Sequence, residues 1–299
     1  MRHALAPRRI ALELWQYRIA MLSYLHGFHA GNHADVLKHT VLTAILARLV
    51  AKDKPLRYID THAGAGGYDL NAPSAQRNRE HAGGIERIWL SPDAPPAVAR
   101  LLELAYRYNG EGPLRRYPGS PWLAHESLRA NDRIQLFELH PAEHRKLTQD
   151  FARVRNVKVL REDGLTGCIG LMPPPERRGL LLIDPSYERT EEQREVIDAV
   201  VKAHQRFATG VIAIWYPIID RRAADKFERA LRVKGLAPFS TYELCVAKAE
   251  RDRGLFGSGM FVVNPPWQLD DELAVALPWL AKELDRDGAA SWRCEPGAR

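Results

Sequence analysis

Cysteine is scarce. Cys168, Cys245 and Cys294 are the only three in 299 residues, scattered, odd in number and without a C-x-x-C pair. This excludes a disulfide framework and a zinc ribbon, and it points to a reducing, cytoplasmic setting. Long apolar runs are also missing, so the chain is expected to be soluble with no membrane partner. There is no internal repeat, low-complexity tract or flexible linker, and the 20 prolines and 21 glycines are dispersed. No strong excess of one charge stands out either. The net charge is +6, and half of it falls in residues 1–20, where Arg2, Arg8, Arg9 and Arg18 outnumber Glu13. The rest of the chain is too mildly basic for charge alone to identify a polyanionic partner.

Residues 1–20 also lack the pattern of a secretion signal. Glu13 and Arg18 interrupt the apolar stretch, and no small-residue cleavage site follows. The motif-dense part of the chain opens at Met21, so residues 1–20 are read as an N-terminal extension or a mis-called start.

The sequence is organised around Leu180-Leu-Leu-Ile-Asp-Pro-Ser-Tyr-Glu188. Four aliphatics without alternation suit a parallel strand covered on both faces, and the groups just past such a strand line the ligand crevice of an open α/β sheet. Pro185 stiffens the turn and leaves carbonyls unpaired. Asp184, the Pro185 carbonyl and the face of Tyr187 together suit a planar ring with an amino group, which can stack while its N–H groups donate. The stretch resembles motif IV, Asp/Asn-Pro-Pro-aromatic, of S-adenosylmethionine-dependent amino-methyltransferases, with Ser186 in place of the second proline. A more literal copy, Asn264-Pro265-Pro266-Trp267, follows Met260–Val263. It lies too near the end of the chain for a strand in mid-sheet, so the active-site role is assigned to residues 184–187.

Upstream, residues 24–39 form a glycine-punctuated loop entering a helix that runs to about residue 51, with Asn32 as its cap. His29 and His33 have the spacing of a zincin pair, but the glutamate of H-E-x-x-H and a third ligand are missing, so no metal is expected. Leu56–Tyr68 is a strand followed by a tight turn, Asp60-Thr-His-Ala-Gly-Ala-Gly66, at the first βα position of a Rossmann-like sheet. The next strand, Arg133–Glu138, ends in an acid suited to ribose hydroxyls. It comes far later than the usual ~20 residues, which implies an insertion over residues 67–117, with a helical pattern at Val98–Tyr108. Ser120 caps the crossover helix and Pro121 takes its first position. Val157–Gly164 is a strand closed by Asp163 and Gly164, read either as a contact to a cofactor adenine or as a surface turn. Gly210–Tyr216 is a strand ended by Pro217. A helix over 219–234, a strand over 240–247 and a terminal hairpin through the charged turn 248–254 complete the chain.

Met21-Leu-Ser-Tyr-x-His-x-Phe-His-Ala-Gly-Asn-His-Ala-Asp-Val-Leu-Lys-His39, Asp60-Thr-His-Ala-Gly-Ala-Gly66, Tyr117-Pro-Gly-Ser-Pro121, Phe137-Glu-Leu-His-Pro141 and Ile183-Asp-Pro-Ser-Tyr-Glu188 closely resemble the RlmJ family. The likeness continues through Ala208–Pro217 and Gly259–Trp267, and it excludes residues 1–20. It implies an α/β, Rossmann-like class I methyltransferase fold with a small inserted helical subdomain at 67–117, the core being 21–66 and 118–299. It implies methyl transfer from S-adenosylmethionine to N6 of an adenosine of unassembled 23S rRNA, position 2030 in the usual rRNA numbering. The product is S-adenosylhomocysteine, no metal takes part, and the protein is a cytoplasmic monomer. His39, His62, Ser120, Glu138, Asp163, Gly164 and Asp184 are implied to contact the cofactor, and Tyr24, His26 and Lys38 the RNA or the target base. Catalysis falls to Asp184, Pro185 and Tyr187. Two other readings remain open: a DNA adenine-N6 methyltransferase, and a non-catalytic nucleic-acid-binding factor in DNA uptake or use.

Overall fold

Burial on both sides of the strand before Asp184 organises the fold. In the computed structural model, which describes residues 26–189, 191–249 and 254–297, Leu180 and Leu182 face one apolar core while Leu181 and Ile183 face another. That double burial explains a run with no polar alternation.

The strands are β1 (Arg57–Asp60), β2 (Gly67–Asp69), β3 (Arg116–Pro118), β4 (Arg133–Phe137), β5 (Val157–Leu160), β6 (Gly179–Ile183), β7 (Val211–Ile218), β8 (Phe239–Cys245), β9 (Gly257–Val263) and β10 (Ser291–Pro296). Eight of them form one sheet in the order β10-β8-β9-β7-β6-β1-β4-β5. The stretch from β5 to β7 is parallel, and β9 enters antiparallel between β7 and β8. The chain builds outward from β1 through β4 and β5, then returns to lay β6 on the other flank of β1. The order therefore reverses between β1 and β6, where an α/β sheet opens its ligand crevice. This is a Rossmann-like α/β sheet, as expected.

The His33–Val50 helix packs across this core with fourteen of its eighteen residues buried. Asn32 caps it, its side-chain oxygen accepting from the N–H groups of Ala34 and Asp35 at 2.9 Å each. Between β1 and β4 the chain leaves through β2 and returns through β3, an antiparallel ribbon with Gly67 opposite Pro118. The segment between them holds helices at Pro73–Asn78, Ile85–Ile88 and Pro96–Asn109. Ile85, Ile88, Val98 and Leu101 join the same core as Leu37, Val41 and Ile45. The segment between β1 and β4 thus carries a strand ribbon as well as helices, and it is packed into the main core.

Three local expectations are corrected. β7 does not stop at Pro217 but runs to Ile218. Its register with β6 ends at Ile214, so Pro217 lies where β7 has only β9 beside it and a missing N–H is tolerated. Gly119, not Ser120, is the cap residue of the Ser120–Ser127 helix, and the Ser120 hydroxyl is turned to Asp60 instead. The third is β10, an unexpected edge strand beside β8 with no apolar alternation. It is held by Arg293, which reaches Glu243 at 2.9 Å.

Leu182 is fully buried between β1 and β7. Leu182→Ala is expected to lower the unfolding free energy by about 2–5 kcal/mol in urea denaturation.

Candidate active site

A cavity of about 520 Å³ opens at the carboxyl ends of β1, β4 and β6. Register fixes what meets there. Asp60 at the end of β1 is level with Leu182, so the glycine turn after β1 and the Asp184 turn after β6 lie side by side. The Thr61 N–H donates to the Leu182 carbonyl at 3.1 Å and ties the two turns together.

At one end of the cavity the Asp184 carboxylate, 12% exposed, accepts from Lys38 Nζ at 2.6 Å. The same ammonium reaches Asp35 Oδ1 at 2.8 Å. Asp35 also holds His26 Nε2 at 2.9 Å and accepts from the Gly31 N–H at 2.8 Å. Burial alone would discharge all three groups, and the geometry decides otherwise. Burial pushes Asp184 up to about 6 against the pull of Lys38 and His26. Lys38 is desolvated too, yet two carboxylates hold its ammonium above the usual lysine range. Burial also opposes the charge on Asp35, but His26 and Lys38 keep it well below the ordinary value. Pro185 and Tyr187 line the cavity beside this cluster. The Tyr187 hydroxyl donates to the Trp215 carbonyl at 2.7 Å, and its ring meets Phe227 edge-on at 5.8 Å. Tyr187 stands at φ 54°, in the left-handed region.

The other end is built by the turn after β1. Gly64, at φ 59°, lets the chain fold back tightly, and its N–H donates to Glu138 Oε2 at 2.8 Å. The second Glu138 oxygen takes the His140 N–H at 2.6 Å. Burial nevertheless pushes Glu138 up to about 7, with the charges of Glu143 and Asp60 adding to the effect. Asp163 caps the Gly164–Gly170 helix through the Leu165 N–H at 3.0 Å, and it lines the cavity. Gly164 must be glycine, since a Cβ there would stand 2.1 Å from the Thr61 carbonyl oxygen. His62 lines the cavity and burial lowers it to about 4, so it is neutral. The Ser120 hydroxyl donates to Asp60 at 2.7 Å, at the cavity wall.

Of the residues proposed from the sequence, His26, Lys38, His62, Ser120, Glu138, Asp163, Gly164, Asp184, Pro185 and Tyr187 all line this one cavity. His39 does not. It is fully buried behind the wall, its Nδ1 2.8 Å from the Tyr117 hydroxyl and its ring stacked on Tyr117, and burial lowers it to about 3. Tyr24 lies outside the described residues. Asn264–Trp267 follow β9, which runs antiparallel, so they sit at the amino ends of the parallel strands. There Asn264 donates to the carbonyls of Ala208 and Gly210. His29 is engaged by Glu80 at 2.9 Å and His33 by Arg286 at 3.1 Å. Among the described residues no cluster of three or more His, Cys, Asp or Glu could hold a metal ion, and no helix is long and apolar enough to cross a membrane.

Sequence reasoning missed Asp35, Glu80 and Trp215 and gave Asp60 no ligand role. Asp35 carries a legible signal: with Lys38 three residues on, it shares one face of a helix. Glu80 and Trp215 reach the site only through the tertiary fold. Removing the cation beside Asp184 favours its neutral form. Lys38→Met should therefore move the Asp184 carboxyl above 6 in a carbon NMR titration.

The family described as RsmJ, Ribosomal RNA large subunit methyltransferase D, RlmJ, matches residues 53–295. Two proteins named Ribosomal RNA large subunit methyltransferase J are similar along nearly their whole length. The one from Escherichia coli is 43% identical over 88% of this chain and 94% of its own. The one from Haemophilus influenzae is 42% identical over 92% of this chain and 98% of its own. A crystal structure of a Legionella pneumophila protein superposes with a TM-score of 0.85 at 37% identity, covering 91% of this chain and 99% of that one. With its strand order, its cavity and its sequence in agreement, the chain belongs to the RlmJ family of ribosomal RNA large subunit methyltransferases.

Proposed function

We propose that the protein methylates N6 of one adenosine in 23S rRNA, taken as naked or unassembled RNA, with S-adenosylmethionine as donor. The observation that carries this reading is the side-by-side placement of two ends in one cavity. One end offers acceptors and an aromatic ring, and the other offers a glycine turn with acids at the neighbouring strand ends.

The donor fits what the chain presents. Glu138 keeps lone pairs beyond its two backbone partners and suits ribose hydroxyls, while Asp163 suits an adenine amino group. Gly64 and Gly164 keep Cβ atoms out of the turns that line this end. His62 and Ser120 complete the wall. His39 acts at one remove, by fixing Tyr117. S-adenosylmethionine supplies a methyl group on a positively charged sulfur.

The remaining work falls to the protein. The N6 amine of adenine is a poor nucleophile because its lone pair is delocalised into the ring. Asp184 and the Pro185 carbonyl accept hydrogen bonds from its two N–H groups and localise that pair, and the Asp184 carboxylate takes the proton that the methylated nitrogen sheds. Tyr187 offers its ring to the extruded base, and Lys38 keeps Asp184 ionised and aimed. His26 and Tyr24 are assigned to the RNA or the base by the family likeness. No metal is assigned a role.

Asp184→Ala is expected to lower methyl incorporation into protein-free 23S rRNA by at least about a hundredfold; activity equal to wild type would refute the mechanism. DNA oligonucleotides of matched sequence should be poor substrates. The pH dependence follows from Asp184. Above about 6 it is a carboxylate with its acceptors available, and below that it takes a proton and loses one. The turnover rate should therefore rise with pH through about 6, and Asp184→Asn, which cannot titrate, should lose that limb.

A further inference from the structure

Lys38 lies between two buried carboxylates, at 2.6 Å from Asp184 and 2.8 Å from Asp35. With His26 neutral, two negative charges and one positive leave the cluster of His26, Asp35, Lys38 and Asp184 with a net charge of −1. Asp184 and Lys38 by themselves would be neutral. The extra charge belongs to Asp35, which is 2% exposed and fixed from the far side by His26 and the Gly31 N–H. A buried charge maintained by so many partners asks for a purpose, because replacing an ion cluster with apolar groups is often no worse for stability.

We propose that Asp35 is a positioning residue that keeps the methyl-transfer centre net negative, drawing half of the Lys38 ammonium away from Asp184. The proposal rests on the functional reading above. Methyl transfer from a sulfonium spreads positive charge from sulfur onto the amine. A pocket with a fixed net negative charge favours both the cationic donor and that transition state over the neutral thioether product. It also leaves Asp184 a stronger acceptor than a carboxylate with a lysine to itself. The groups facing Asp184 are Lys38, Asp35 and His26 from the helix and the turn before it, Tyr58 from β1 and Tyr187 from its own turn. Asp35 is thus the second anion that Lys38 must serve.

The test uses Asp35→Asn, close in shape and uncharged, with S-adenosylmethionine and S-adenosylhomocysteine as calorimetric probes. Removing the charge should weaken the cationic ligand by about three- to tenfold and leave the neutral one within twofold. The acid limb of the rate profile should also move below its wild-type midpoint, because Lys38 then serves Asp184 alone. Equal weakening of both ligands, an unchanged ratio, or an unmoved acid limb would overturn the proposal, since a merely structural role shifts neither selectivity nor titration. Should the Asn variant not fold, Asp35→Ser, whose hydroxyl still accepts from Gly31, repeats both measurements. A wild-type protein that methylates no RNA would sink the functional reading instead, and the binding comparison needs no RNA.

Discussion

The parallel pairing of β1 with β6 is the constraint on which everything else depends. It aligns Asp60 with Leu182 across more than a hundred residues of chain, and so sets two loops in contact at the rim of the sheet. Neither loop is a site without the other. The turn after β1 brings glycines, N–H groups and the His62 imidazole but no carboxylate. The turn after β6 brings the Asp184 carboxylate and the Tyr187 ring but no glycine turn. A one-residue slip in this register would swap the faces of Leu180–Ile183, exchange the two cores, and turn Asp184 away from the cavity.

The pairing brings these groups together in a place where water is sparse. Burial there raises Asp184 and Glu138 and lowers His62, each toward its neutral form. The protein answers differently at the two ends. Around Asp184 it places a lysine, and charge survives. Around Glu138 it places only backbone N–H groups, with further acids nearby, so that carboxyl sits near neutrality. A helix that is buried on nearly every side supplies the lysine, and Asn32 and Asp35 fix the start of that helix. The fold of the amino-terminal helix and the chemistry of the site are therefore one electrostatic problem.

Much of this was legible in the sequence, for physical reasons that also mark where legibility stops. An unbroken apolar run ending in Asp-Pro-Ser-Tyr announces a buried strand and its crevice, and glycines just past a strand announce a close turn. Order along the chain then gives the sheet. The local signals failed where tertiary context overrides them. Pro217 looked like a strand end, yet a β7 flank with no parallel neighbour accepts it. Ser120 looked like a helix cap, yet a buried carboxylate claims its hydroxyl. His39 has the family's pattern around it, but no property of residue 39 itself reveals that Tyr117 stands against it. β10 lacks any apolar periodicity because ion pairs to Glu243 and Glu228 hold it.

The turn at 184–187 shows how a departure from a motif is accommodated. Ser186 replaces a proline that would have stiffened the chain, and the next residue, Tyr187, adopts a left-handed backbone that a bulky side chain disfavours. Such a conformation persists only when its surroundings over-determine it. Here they do. The hydroxyl of Tyr187 is tied to the Trp215 carbonyl, and its ring is wedged against Trp215 and Phe227. Trp215 belongs to β7, which continues past Tyr216 through Pro217 to Ile218. The strand that runs on through a proline is thus the strand that holds the aromatic ring in place, and rigidity absent from the turn is supplied by the sheet beside it.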